Sequence, residues 1–218
     1  MKSAFVTIWK SLVFVYDDIL TVILFNILWF FVSLGILTAP PAMAGLYYAT
    51  NQIAHRESVD WKTLFYGFKK YFWASWRWSI LNLLVIGVLI SNIIFYRNLN
   101  QSWGFLVQSL FLGLSVIWLS IQMFMYPLLI EQEKPDVRTA LRNCLILYSK
   151  KPWLTIFSLL FIIILIVISY YFTVAFVVLT VGFIAYFENY LTIYLIQEIK
   201  LSSPPPAGMA DDQTSKPL

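Results

Sequence analysis

Long apolar runs joined by short basic connections set the pattern of this chain. Residues 19–38 carry no charge, and twenty residues rising about 1.5 Å each cross the roughly 30 Å of a bilayer's hydrocarbon. Residues 78–96 and 103–130 form two more such runs. The longer one exceeds what a bilayer needs, so it should tilt or protrude. Residues 153–196 are apolar except for Glu188 and scattered amides and hydroxyls. A single helix of that length would reach about 66 Å, so the run must fold back. Residues 169–173, "SYYFT", are the expected turn, since paired tyrosines suit the headgroup level. The pattern predicts an all-α, polytopic membrane helical bundle with spans at 19–38, 78–96, 103–130, 153–171 and 173–196.

Between the spans the period changes. In "SVDWKTLFYGFKKYFW", Trp61, Leu64, Phe65, Phe68 and Phe72 share one side of a helix, with Lys62, Lys69 and Lys70 turned away. Ser58 is the expected N-cap. "KPDVRTALRNCLILYSKKPW" repeats the plan, with Val137, Ala140, Leu141, Cys144, Leu145 and Tyr148 as the apolar stripe. Each unit reads as an amphipathic helix, a basic pair and a helical hairpin, which would make a parallel repeat. Residues 3–16 read as an interfacial segment within a separate N-terminal piece, 1–18. The Pro/Ser/Asp-rich residues 201–218 read as a disordered tail. Residues 19–200 form one membrane domain.

Composition strengthens the membrane reading. The 218 residues are 60% hydrophobic and only 12% charged, about half the charge of an ordinary soluble domain. The distribution of the 15 Lys and Arg sets the orientation. Twelve fall in the 39–77 and 131–152 connections and the tail, leaving Lys2, Lys10 and Arg97 on the other side. By the positive-inside rule the N-terminus lies outside, with the two large loops and the C-terminus in the cytoplasm. "AMAG", residues 42–45, resembles a signal-peptide cleavage site, but a full span and two prolines precede it, so cleavage is not expected.

Pro40 and Pro41 break the chain. A residue before proline is pushed out of the α region, and proline suits the first helical turn. They should end the first span and begin a new helix. Ala42, Gly45, Ala49 and Ile53 share a face of that helix. It reads as a packing helix capping the bundle, with a re-entrant element lining a cavity as the alternative.

Chemistry has few places to sit. A single cysteine, Cys144, and a single histidine, His55, leave no disulfide framework or His/Cys metal cluster, so no cofactor is expected. No nucleophile–base pair or phosphate loop is visible, and the protein reads as no enzyme. An intramembrane carboxyl is costly and marks a candidate site. Glu188 lies 8 to 12 residues from the end of its span, roughly 12–18 Å deep. Its neighbour Asn189, with Asn26, Asn82, Asn92, Gln108 and Gln122, could meet it. Either the glutamic acid is interhelical glue, or it belongs to a substrate or proton site. Lys62, Lys69, Lys70, Arg138, Arg142, Lys150 and Lys151 are candidate contacts to anionic lipid or to a soluble partner. Nucleic acid is not an expected partner.

Asp18, "LFNILWF" (24–30), Ser33, "TAPPAMAGLYY" (38–48) and "MYPLLI" (125–130) together resemble the YesL family of bacterial integral membrane proteins. The resemblance covers nearly all of the chain except the tail. It implies a multi-pass inner-membrane protein linked to carbohydrate uptake, with ABC-transporter components or another membrane protein as partners. It supplies no catalytic residues. The function expected is that of an accessory or regulatory component of solute uptake. A small transporter or channel-like protein with its polar site at Glu188 is the alternative.

Overall fold

The computed structural model describes residues 2–98, 102–172 and 179–202, with side chains placed over 18–98, 103–172 and 179–199. The described residues are helical throughout apart from short connections. In chain order the helices are α1 (Lys2–Ser33), α2 (Ala39–Ala54), α3 (Trp61–Lys70), α4 (Phe72–Arg97), α5 (Ser102–Ile130), α6 (Val137–Lys150), α7 (Pro152–Tyr171) and α8 (Val181–Ser202). Three stretches among the described residues are long and apolar enough to cross a membrane: Phe72–Arg97, Trp103–Ile130 and Pro152–Tyr171. The apolar part of α1, Asp18–Ser33, is shorter. Leu83, Leu84, Val88, Leu106 and Ile164 stand exposed along the three long helices, a surface that only an apolar surrounding tolerates.

Several boundaries differ from the sequence reading. Residues 1–18 are no separate segment, because α1 runs from Lys2 without a break into the first apolar run. Nor do Pro40 and Pro41 end that run; α1 stops at Ser33. The last carbonyls are taken there by side chains: Ser33 Oγ donates to Phe30 O at 2.9 Å, and Thr38 Oγ1 to Val32 O at 2.6 Å. These bonds stand in for the missing helical donors. The prolines instead lie in the first turn of α2, where an absent N–H costs nothing. α7 ends at Tyr171, where the sequence ends its fourth span, and the turn expected around 169–173 runs on into residues outside the description. Residues 173–178 and 203–218, and with them most of the expected tail, lie outside the described residues.

The amphipathic helices are present with altered faces. Asp60, not Ser58, caps α3, its side chain accepting from Thr63 N at 3.0 Å. The buried face of α3 is Leu64 and Gly67, and Trp61 stands exposed. In α6 the buried face is Ala140, Cys144 and Leu147, with Leu145 turned outward. Asp136 caps α6 as Asp60 caps α3, accepting from Thr139 N at 2.8 Å. Each unit therefore opens on the same Asp-x-x-Thr device.

At the centre lies α2, packed against α1, α3, α4, α5 and α8. Pro41, Ala42, Ala44, Gly45, Leu46, Tyr47, Ala49, Thr50, Asn51 and Ile53 are all buried. Small residues permit this. A methyl added at Gly45 would sit 2.6 Å from the backbone oxygen of Leu64, and one at Gly67 would sit 2.5 Å from Tyr48 Cβ. The backbones of α2 and α3 thus meet at Gly45, and the α3 backbone meets the Tyr48 side chain at Gly67, two points where only hydrogen fits.

Candidate functional site

Glu188 faces inward from α8 and is 6% exposed. Tyr47 of α2 donates its phenolic proton to Glu188 Oε2. Glu188 Oε1 has no hydrogen-bond partner among the described residues, and the side chain lines a cavity of about 700 Å³. Five helices contribute to its wall: Met43 and Tyr47 from α2, Trp78, Ser79 and Asn82 from α4, Gln122, Met123 and Tyr126 from α5, Ile162 and Ile166 from α7, and Ile184 with Glu188 from α8. Tyr126 stacks on Tyr47 with ring centroids 4.9 Å apart. Asn82 Nδ2 donates to Gln122 Oε1 at 3.0 Å, and Trp118 Nε1 donates to Asn82 Oδ1 at 2.9 Å. Gln122 Nε2 is then a buried donor with no partner among the described residues. This polar group sits inside a largely apolar envelope, the usual make-up of a small-molecule site.

Of the candidate intramembrane residues, Glu188, Asn82 and Gln122 meet at this cavity. The others do not. Asn189 is fully buried and spent on α2: its Nδ2 donates to Tyr47 O at 2.9 Å and Thr50 Oγ1 at 3.0 Å. Asn26 Oδ1 accepts from Gly182 N at 2.5 Å, joining α1 to α8. Asn92 donates to Val88 O in its own helix, and Gln108 is not among the cavity residues. Pro40 does line the cavity, beside Ala39. α2 both packs at the centre of the bundle and lines the cavity.

A polar ladder leads from the cavity toward the loop end of the bundle. Asn51 Nδ2 donates to Asn189 Oδ1 at 3.3 Å and to Glu131 Oε1 at 2.8 Å. The same Glu131 oxygen meets His55 Nε2 at 2.7 Å. Tyr71 donates to Ile130 O at 3.2 Å beside it, and burial raises the Tyr71 phenol above its ordinary range. Sequence reasoning missed Tyr47, Asn51, Tyr126, Glu131 and His55 as members of one network. The signal available was the polar face of α2, where Tyr47, Thr50, Asn51 and His55 recur at helical spacing.

The basic candidates spread over the surface at the end where α2, α5 and α8 finish. Lys70 Nζ lies 5.7, 5.8 and 5.2 Å from the ring centroids of Tyr48, Tyr66 and Tyr71, a cation held over three aromatic faces. Lys62 lies over Trp61 at 5.7 Å. Lys69, Arg138, Arg142 and Lys150 are exposed. Lys151 pairs with Glu198 at 2.6 Å, and that hydrogen bond raises the ammonium's pKa. No group of three or more His, Cys, Asp or Glu side chains able to hold a metal occurs among the described residues. Burial raises the Cys144 thiol well above its ordinary value, which makes it unreactive.

The family described as "Protein of unknown function, DUF624" is similar to this chain over residues 22–93, which span most of the apolar part of α1, all of α2 and α3, and most of α4. No curated protein and no solved structure matches.

Proposed function

We propose that the protein is a multi-pass protein of a bacterial inner membrane that binds a small solute in the Glu188 cavity and acts as an accessory or regulatory component of solute uptake. In this reading α1, α4, α5, α7 and α8 are its five membrane-inserted helices. The N-terminus is outside, and α3, α6 and the C-terminus are cytoplasmic. The observation that carries the reading is the convergence of Glu188, Asn82 and Gln122, from three helices, on one cavity. A group bound there touches Tyr47, and Tyr47 belongs to the helix on which α3 packs. Occupancy would thus be felt at the cytoplasmic surface that presents Lys62, Lys69 and Trp61. The link to carbohydrate uptake, and the name YesL, rest on the sequence resemblance.

The experiment is a pull-down from native membranes with the wild type and with Glu188→Gln, identifying what co-purifies. An uptake permease or its ATPase, retained by the wild type and changed in amount by the variant, is the expected result. If nothing from a transport system is retained, the accessory role is wrong.

A second reading, a transporter in its own right, is favoured by one feature: Glu188 Oε1 and Gln122 Nε2 lack protein partners at the cavity. Solute flux into proteoliposomes made from the pure protein would establish it.

A further inference from the structure

The cavity has a side door. Leu119 of α5 and Ile163 and Ile166 of α7 line it, yet they are 47%, 43% and 47% exposed. These residues form its rim. The exposed part of the lining thus falls on α5 and α7, midway along α7, beside the exposed apolar side chains Leu160, Ile164 and Val167.

The interior limits what can bind. No Lys or Arg is among the lining residues. The N-terminus of α2, which reaches the cavity at Ala39 and Pro40, offers no donor either. Pro40 and Pro41 have no N–H, and the N–H groups of Ala39 and Ala42 are already given to Gly35 O and Thr38 O at 3.0 and 2.8 Å. An anionic group, a phosphate included, would be buried here without a counter-charge. A polyol fits no better, because Leu159, Ile162, Ile163, Ile166 and Ile184 would leave most of its hydroxyls unpaired. What the polar floor does offer is a carboxyl oxygen with room beside it, in a wall that includes the aromatic rings of Tyr47, Tyr126 and Trp78. These are the elements of ammonium recognition.

We infer that the cavity takes an organic cation with an apolar body, received sideways from the bilayer between α5 and α7, with its ammonium on Glu188 Oε1. The inference rests on the ligand-binding reading above and names the ligand's chemical class. One acceptor on the ligand, such as an ether oxygen, would satisfy Gln122 Nε2. The volume suits a molecule of drug-like size or below.

The test uses the full-length protein in nanodiscs of neutral lipid, with empty nanodiscs subtracted for partition. Three matched probes differ in one group: 3-phenoxypropylammonium, 3-phenoxypropanol and 3-phenoxypropionate. Binding is followed by tryptophan fluorescence, to which Trp78 in the wall should respond. The ammonium is expected to bind at least tenfold more tightly than the alcohol, with no binding of the carboxylate. Glu188→Gln should abolish that preference. Leu119→Trp, which narrows the rim but leaves the Tyr47–Glu188 bond in place, should slow association severalfold. It also keeps the proposal testable if the Glu188 variant does not fold. Equal or tighter binding of the alcohol, or unchanged selectivity in Glu188→Gln, overturns the cation assignment while leaving a ligand cavity intact. An unchanged association rate in Leu119→Trp overturns the side door. Failure of all three probes to bind overturns the cation class, and the pull-down then decides separately whether the accessory role survives.

Discussion

Tyr47 and Glu188 are 141 positions apart in the chain and share a buried hydrogen bond from phenol to carboxyl. The bond ties α2 to α8 at the floor of the cavity. Removing the donor leaves a buried acceptor short of a partner, a change worth about 1–3 kcal/mol. Tyr47→Phe should therefore unfold at lower temperature than the wild type in the same detergent, as measured by thermal shift. Glu188→Gln retains an acceptor for the phenol and should be clearly less destabilising than Tyr47→Phe. The reverse order of the two would mean that the bond contributes little.

The Asn189 side chain makes four hydrogen bonds in the core. It donates to Tyr47 O, Thr50 Oγ1 and Ala185 O and accepts from Asn51. Leucine is close to it in size but has no polar atoms. Asn189→Leu should cost about 2–4 kcal/mol, since partners on α2 lose their bonds in a dry environment. The check is chemical or thermal unfolding alongside Asn92→Leu, whose amide serves only its own helix and whose loss should be within about 1 kcal/mol.

Glycine positions separate packing from propensity. Ala at Gly45 would press its methyl against the Leu64 backbone oxygen, whereas Gly87 and Gly113 have nothing within 4 Å. Gly45→Ala should destabilise by about 1–3 kcal/mol through overpacking and expose the α3 region to protease. Gly87→Ala should be neutral or slightly stabilising, because alanine is the better helix former. Similar behaviour of the two variants in limited proteolysis would contradict the backbone contact between α2 and α3.

How much of this was legible from the chain depends on distance along it. Apolar length gave α5 and α7 almost to the residue, and α4 from Trp78 onward, six residues inside its start at Phe72, because hydrogen bonding in lipid forces a helix wherever a long apolar run occurs. Period gave α3 and α6 and much of the face each buries, since Leu64, Val137, Ala140, Leu141 and Cys144 pack inward. It also put Trp61 and Leu145 on those faces, and both are exposed. Leu145 and Leu147 are equally apolar, and only the neighbour against α6 decides which turns inward. Pro40 and Pro41 marked a break correctly and misplaced it. A proline reports what cannot continue, while Ser33 and Thr38, which end α1 by side-chain bonds, are weak signals in sequence. Glu188 stood out as a lone carboxyl in an apolar run. Its partner Tyr47 did not, since nothing local distinguishes a tyrosine that reaches across to another helix from one at an interface.

Acid should loosen the amphipathic helix α6 before the membrane helices. Asp136 accepts from Thr139 N and from Thr139 Oγ1, at 2.8 and 2.6 Å. These bonds hold its carboxyl below the ordinary value for aspartate. A folded-state pKa below the unfolded one means stabilisation present above the unfolded pKa and lost as pH falls through the folded one. Because Asp136 is solvent-exposed, the effect is confined to the start of α6. Hydrogen exchange at the amides of 138–141 should accelerate below about pH 4, after correction for intrinsic rates. Asp136→Asn, which keeps a capping oxygen without a titrating group, should remove the acid dependence of this local opening while leaving α6 folded at neutral pH. An unaltered acid profile in Asp136→Asn would assign the opening to another carboxylate, with Glu133 the nearest in sequence.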